Sequence, residues 1–192
     1  MNIKKSSKKI KLNNAGFTMI ELIIVIAIMA IMVGGSVIGF NLLGQGDAKA
    51  ASKNISSQLA ELRTDTLSMD GIWTAEIYKS GNTYKLDIKK TINHVEELVS
   101  STSIGSRIVI TYYDLEKPPS TEIKDNIKIV VRFNQGDGKI LSVKKFPSSN
   151  ADGDSLIGST SRSGDFIVTQ RSSTTSNILT LWYLTGKVTS DY

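Results

Sequence analysis

The chain has 192 residues, no cysteine and a single histidine, His94. This length fits one ordinary domain with an appendage. The absence of cysteine excludes disulfides, thiol nucleophiles and cysteine-based metal sites, and one histidine excludes multi-histidine sites. The formal charge of +5 comes from five lysines within residues 1–16, and the remainder carries 18 acidic residues and as many basic ones. We therefore expect no general electrostatic attraction to nucleic acid.

An apolar segment follows these lysines. Residues 17–40 contain one charge, Glu21, and residues 22–33 are apolar without interruption. A helix over residues 17–40 is roughly 36 Å long, enough to cross a hydrocarbon core of about 30 Å. The preceding lysines place the N-terminus in the cytoplasm and the rest of the chain outside. The pattern predicts a single pass through the cytoplasmic membrane.

Three interpretations of this N-terminal region compete. The segment is an anchor that is never processed, or it is a secretory signal cut after the small-x-small sequence of residues 48–50. In the third interpretation a cut on the cytoplasmic side, before the apolar run, leaves the helix attached to the mature protein. The secretory interpretation is disfavoured because the apolar stretch exceeds an ordinary signal core and because Glu21 interrupts its start.

Residues 16–22, Gly-Phe-Thr-Met-Ile-Glu-Leu, decide between these interpretations. The segment resembles the type IV prepilin family, which includes the pseudopilins of type II secretion. The resemblance implies that a prepilin peptidase cuts between Gly16 and Phe17 and methylates Phe17 as the new N-terminus. It also implies that Glu21 neutralises the Phe17 amine of a neighbouring subunit during assembly. In the alternative interpretation Glu21 has no role in assembly. It is then an acid tolerated at the membrane interface, where the dipole at the helix N-terminus favours a negative charge.

The same resemblance implies partners and location. The partners are other pilin or pseudopilin subunits, the prepilin peptidase and a membrane protein that serves as the assembly platform. The protein is expected first in the inner membrane and then in a surface pilus or a cell-envelope filament.

The region after Asp47 changes to an amphipathic pattern. Apolar side chains recur at intervals of three to four residues, at Ala48, Ala51, Ile55, Leu59, Leu62 and, further on, Met69. The pattern predicts one helix that continues to about Ser68 and ends at Asp70-Gly71. The predicted domains are a leader (1–16), a long helix (17–69) with a transmembrane half (17–40), and a β-rich domain (70–192).

Alternating and β-branched segments predict antiparallel strands after the helix. These segments cover residues 72–79, 83–89, 107–113, 127–133, 140–146, 166–170 and 178–184. Residues 93–100 suggest a short helix, and the Ser/Gly/Asp-rich residues 148–164 suggest a mobile excursion. The predicted class is α+β, with a long N-terminal helix packed on an antiparallel sheet, as in the pilin fold.

Two segments indicate which members of this family the chain resembles most. Residues 130–136 and 179–188 are similar to the paired strand signatures of H-type minor pseudopilins and FimT-like minor pilins, which implies a minor subunit. The alternative is a pilus-tip subunit that contacts DNA or a surface through aromatic residues, namely Tyr112, Tyr113, Trp182 and Tyr183. Because alternating strands bury half of such residues, core packing is favoured and nucleic-acid binding is not.

Little in the sequence indicates catalysis or metal binding. Asp152 and Asp154 follow Asn150 at alternate positions, as in the first part of a calcium loop, but the required glycine and glutamate positions hold Ser155 and Ser161. The two aspartates are weak calcium candidates, and a solvated acidic loop is favoured. No G-x-S-x-G, P-loop or dinucleotide motif occurs. We expect no enzyme activity, no cofactor and a surface position for His94.

Overall fold

The computed structural model describes residues 18–147, 152–171 and 176–191, and the side chains of residues 33–45 lie outside that description. The chain divides into two compact units, Met1–Gly39 and Phe40–Tyr192. A single helix, α1, runs from Met19 to Ser68 and contributes to both units.

The second half of α1 buries one face. The buried apolar residues are those predicted from their spacing, namely Ala48, Ala51, Ile55, Leu59 and Leu62, and Ser52 is buried beside them. Met69 does not continue this face, since it follows the helix and is 47 % exposed. The buried position in the last turn belongs instead to Thr66, whose hydroxyl donates a 2.7 Å hydrogen bond to the carbonyl of Leu62. Gly71, at φ 103°, turns the chain into the first strand.

Eleven strands follow α1 in the described residues. They are β1 (Ile72–Ser80), β2 (Thr83–Ile92), β3 (Val95–Gly105), β4 (Ile108–Tyr113), β5 (Thr121–Glu122), β6 (Lys128–Phe133), β7 (Ile140–Phe146), β8 (Asp154–Ser155), β9 (Ser163–Gln170), β10 (Ser176–Trp182) and β11 (Lys187–Asp191). Their pairing is antiparallel and gives a six-stranded sheet, β3-β2-β1-β6-β7-β8, and a five-stranded sheet, β11-β10-β9-β4-β5. The α+β class is confirmed, with two sheets in place of the single predicted one.

Alternation along the strands explains why both sheets have an inner face. In β6, Ile129, Val131 and Phe133 are buried and the residues between them are partly exposed. β9 repeats this pattern with Phe166 and Val168. The inner faces of both sheets and the buried face of α1 form one apolar cluster. The core of the second unit therefore draws on all three layers.

The two sheets meet where two turns approach each other. The amide of Ile140, at the start of β7, donates a 3.0 Å hydrogen bond to the carbonyl of Tyr183, just after β10. Gly186 lies against the carbonyl of Gly138, and a Cβ atom at Gly186 would overlap that oxygen. Arg63 of α1 donates to the same carbonyl through Nε at 3.0 Å. The second of the two segments that suggested a minor subunit, residues 179–188, therefore contacts the turn that follows the first segment.

The predicted short helix over residues 93–100 is wrong. Asn93 and His94, with φ of 50° and 66°, form the turn of a β2–β3 hairpin, and Val95 begins β3. The Glu96-Glu97-Leu98 sequence suggests a helix locally, but pairing with β2 supplies backbone hydrogen bonds along the whole segment. Tertiary pairing overrides the local preference.

The predicted excursion over residues 148–164 is only partly described, because residues 148–151 lie outside the described residues. Part of the remaining segment is held in place. β8 pairs with β7, and the amide of Leu156 donates a 2.8 Å hydrogen bond to the carbonyl of Val143. The predicted excursion is therefore wrong at residues 154–156, which pair with β7, and the mobility of the rest of the segment stays a prediction.

Candidate functional site

Glu21 lies in the first turn of α1, where Thr18 holds it. The amide and the hydroxyl of Thr18 donate hydrogen bonds of 2.8 and 2.9 Å to Oε2 of Glu21. The amide of Glu21 donates in return to the Thr18 hydroxyl at 3.3 Å. This reciprocal pair is a capping box, which stabilises a helix start. Both bonds to the carboxylate use Oε2, so Oε1 lies outside the arrangement.

The other two predicted residues of this site, Gly16 and Phe17, lie outside the described residues. The predicted cleavage and methylation at these positions therefore stay predictions. Glu21 is the one predicted site residue of this segment whose geometry is described.

The side chains that follow Glu21 form an exposed apolar surface. Eleven large apolar residues between Met19 and Met32 are exposed, with fractions from 44 % at Val25 to 83 % at Met19. They occur at nearly every position and so surround the helix, whereas an amphipathic helix has one apolar stripe. A helix that is apolar on all sides is found inside a large core or in a bilayer. In water such a surface is unfavourable, because it exposes apolar area that burial would remove.

In the part of the chain that the structure describes, no helix combines the length and the apolarity that a membrane crossing requires. The predicted crossing over residues 17–40 includes side chains outside the description. It stays a prediction.

A second polar cluster, which sequence reasoning missed, lies at the end of β4. Asp114 is 2 % exposed and accepts four hydrogen bonds. The donors are the Tyr183 hydroxyl at 2.8 Å, the Glu116 amide at 2.9 Å, the Gly158 amide at 3.3 Å and the hydroxyl of Ser161. The Tyr112 and Tyr183 hydroxyls also bond to each other.

Charge on Asp114 is favoured in the folded protein. Burial acts to raise the pKa of its carboxyl, but the hydrogen bonds from Ser161, Tyr183 and two backbone amides outweigh burial and lower that pKa. Burial raises the pKa of both Tyr112 and Tyr183, so these phenols remain neutral donors. The cluster is therefore a structural anchor, with one carboxylate held by neutral groups.

Glu116 extends this anchor. Its carboxylate accepts a 2.9 Å hydrogen bond from the Thr160 amide and a second bond from the Thr160 hydroxyl. These bonds lower the pKa of Glu116. Asp114 and Glu116 together fix residues 158–161 against the end of β4. No local pattern could have shown this, because the partners lie more than 40 positions away along the chain.

A groove of about 600 Å³ crosses the six-stranded sheet on the face opposite the core. Glu76 lies in it and pairs with Lys128 at 2.8 Å and with Lys89 at 3.2 Å. Asp87 accepts a 2.9 Å hydrogen bond from the Tyr78 hydroxyl and another from Ser101. Because neighbouring side chains already engage these carboxylates, we assign no ligand to the groove.

The weak calcium candidates are not brought together. Asp154 pairs with Lys145 at 3.6 Å, Asp152 is exposed, and Asn150 lies outside the described residues. Among the described residues, no group of three or more His, Asp or Glu side chains could hold a metal ion. His94 lies in the exposed β2–β3 turn.

Of the four aromatic residues considered for DNA or surface contact, two are buried and two are at least partly exposed. Tyr112 and Tyr183 are buried, as alternation predicted. Trp182 is 43 % exposed and Tyr113 is partly exposed. The Trp182 indole donates a 3.0 Å hydrogen bond to the Thr189 hydroxyl. An aromatic contact surface would therefore depend on Tyr113 and Trp182.

Comparison with known proteins bears on the N-terminal segment. Residues 11–37 match the family model described as the prokaryotic N-terminal methylation motif, and the match includes Gly16, Phe17 and Glu21. No curated protein and no solved structure matches the chain. The chain therefore carries a type IV pilin-like N-terminal signal, which supports its assignment to the pilin and pseudopilin family.

Proposed function

We propose that this chain is a structural subunit, a minor pilin or pseudopilin, of a type IV pilus or a type II secretion-like filament. The precursor enters the inner membrane through residues 17–40, with its N-terminus in the cytoplasm. Prepilin peptidase cuts after Gly16 and methylates Phe17. An assembly platform in the membrane then passes the subunit into a filament of related subunits.

One observation carries this proposal. The methylation motif over residues 11–37 coincides with the start of a helix that is apolar on all sides from Leu22 to Met32. Covering such a surface is strongly favourable, at about 25 cal/mol per Å² of apolar area. A bilayer covers it before assembly and neighbouring helices cover it afterwards. A cut before Phe17 keeps this surface attached to the outer domain in both states.

The geometry at Glu21 suits a role between subunits. Thr18 engages Oε2 and leaves Oε1 outside the capping box. Once Phe17 becomes a free amine, its positive charge is a partner for a carboxylate in a low-dielectric filament core. An unpaired charge is strongly unfavourable there, so pairing sets the register between neighbouring helices.

The helix also supports a cut before the apolar run over a secretory cut after Ala50. Ala48 is buried in the core, and Asp47 pairs with Arg107 at 2.9 Å. A cut after Ala50 would remove both contacts from the folded domain. A mature chain that keeps the complete helix therefore agrees better with the contacts of the folded domain.

The experiment separates the charge of Glu21 from its capping role. Glutamine at this position of a capping box also accepts the Thr18 bonds, so Glu21→Gln keeps the helix start and removes the charge. Glu21→Ala removes both. We expect both variants to insert and to be cleaved normally, yet to be depleted from sheared filaments. Glu122→Gln, at an exposed position of β5, is the control and should incorporate normally.

Two results would count against the proposal. Normal amounts of Glu21→Gln in filaments would show that charge pairing is not required. Loss of cleavage in either variant would show that Glu21 is needed for processing by prepilin peptidase and not only for assembly. The ratio of this chain to the other subunits in purified filaments tests its role as a minor component.

A further inference from the structure

β3 is the one long open edge among the described strands. The four outer strands of the two sheets are β3, β8, β11 and β5. β8 and β5 have two residues each and β11 has five, whereas β3 has 11. Very short edge strands are a common means of preventing unwanted pairing. The fold thus shortens three edges and leaves β3 extended.

β3 carries three exposed apolar side chains beside the charged Glu96 and Glu97, and it contains no proline. Val95 is 69 % exposed, Leu98 54 % and Val99 50 %. Ile92, which pairs with Val95 across the hairpin, is 44 % exposed. A long open edge that exposes apolar side chains is a template for strand addition.

The open edge is most regular beside the hairpin turn. The register between β2 and β3 shifts after Leu98, so Val99 is the extra residue of a bulge. From Val95 to Leu98 the pairing with β2 is continuous. The two-residue turn at Asn93 and His94, with positive φ at both, fixes this end of the hairpin. Residues 95–98 therefore present an ordered backbone.

The charged residues of β3 restrict which kind of strand can pair with it. Residues 95–98 include Glu96 and Glu97 and no basic residue. Glu96 pairs with Lys89 at 2.6 Å and stays 54 % exposed. Glu97 lies opposite Lys90 of β2 and is exposed as well. An incoming strand with basic side chains would find complementary charge at this edge.

The same charges disfavour a second copy. If two copies paired antiparallel over residues 95–98, Glu96 of each copy would lie opposite Glu97 of the other. Like charges in directly opposed positions destabilise strand pairing. We propose that β3 is a docking edge for an extended strand of another protein, one that combines apolar and basic side chains.

The test uses the full chain in detergent micelles and a synthetic peptide as long as β3, with valine and threonine alternating with lysine. Peptide binding is measured by fluorescence anisotropy, and hydrogen exchange locates the amides that become protected. We expect protection in β3, and weakening of binding by roughly tenfold or more in Leu98→Lys. Leu141→Lys is the matched control, because Leu141 is a similarly exposed leucine of the same sheet, 52 % exposed on β7.

The alternative outcomes overturn the proposal. Equal binding of a peptide with glutamate in place of lysine would exclude charge recognition. Protection outside β3, unchanged affinity in Leu98→Lys, or no binding of the basic peptide would exclude this edge. Self-association that is lost in Leu98→Lys would assign β3 to a second copy.

Discussion

Replacing Asp114 with asparagine tests the anchor at the end of β4. The side chain keeps its shape, but one of two acceptor oxygens becomes a donor. Each Asp114 oxygen accepts two hydrogen bonds, one from a hydroxyl and one from a backbone amide. Two buried or partly buried donors therefore lose their acceptor, at about 1–3 kcal/mol each. Because the freed hydroxyl can rotate to another acceptor, we expect the free energy of unfolding to fall by about 2–4 kcal/mol.

Urea unfolding of the detergent-solubilised chain measures this loss, with the fluorescence of the buried Trp73 as the signal. Asp125→Asn is the control, because Asp125 is 64 % exposed in its ion pair with Lys79 and should contribute no more than about 1 kcal/mol. An equal effect of the two substitutions would refute the account of Asp114.

The pH dependence supplies a second check. The folded-state pKa of Asp114 is lowered. Its charge therefore contributes stability fully above the ordinary carboxyl pKa of about 3.9, and this contribution is lost as pH falls through the folded-state value. The stability difference between wild type and Asp114→Asn should shrink below pH about 4. A difference that stays constant in acid would contradict a role for the charge.

Two further substitutions test packing. Gly164→Ala places a Cβ atom against the Tyr112 and Tyr183 hydroxyls and should lower the free energy of unfolding by about 1–3 kcal/mol. Gly136→Ala, where a Cβ atom meets open space, should be nearly neutral in the same urea titration. Leu59→Ala empties a fully buried position of α1 and should lose about 2–5 kcal/mol, against about 0.5 kcal/mol for Leu141→Ala on the surface. Equal free energies of unfolding within either pair would contradict the assigned burial.

The sequence predicted those parts of the fold that local periodicity encodes. Ala48, Ala51, Ile55, Leu59 and Leu62 recur at helical spacing, and all five are buried. The predicted strand over residues 140–146 coincides with β7, because its turn residues and its alternation point to the same structure. Prediction succeeded where propensity and pattern agreed.

The missed features depend on partners distant in the chain. β3 has a helix-like sequence around Glu96 and Glu97, and only its pairing with β2 makes it a strand. The anchor joins Asp114 to Tyr183, 69 positions away. An acid at the end of a strand does not reveal such a partner. At the N-terminus, by contrast, residues 16–22 could be recognised from residue types and spacing, and the family match over residues 11–37 includes them.

We propose that the apolar helix stays joined to the outer domain after a cut before Phe17. Mass spectrometry of the mature N-terminus, in cells with and without prepilin peptidase, tests it most directly. We expect methylated Phe17 when the peptidase is present and the uncut leader when it is absent. A mature chain that begins at Ala51, or an N-terminus unaffected by the peptidase, would contradict the claim.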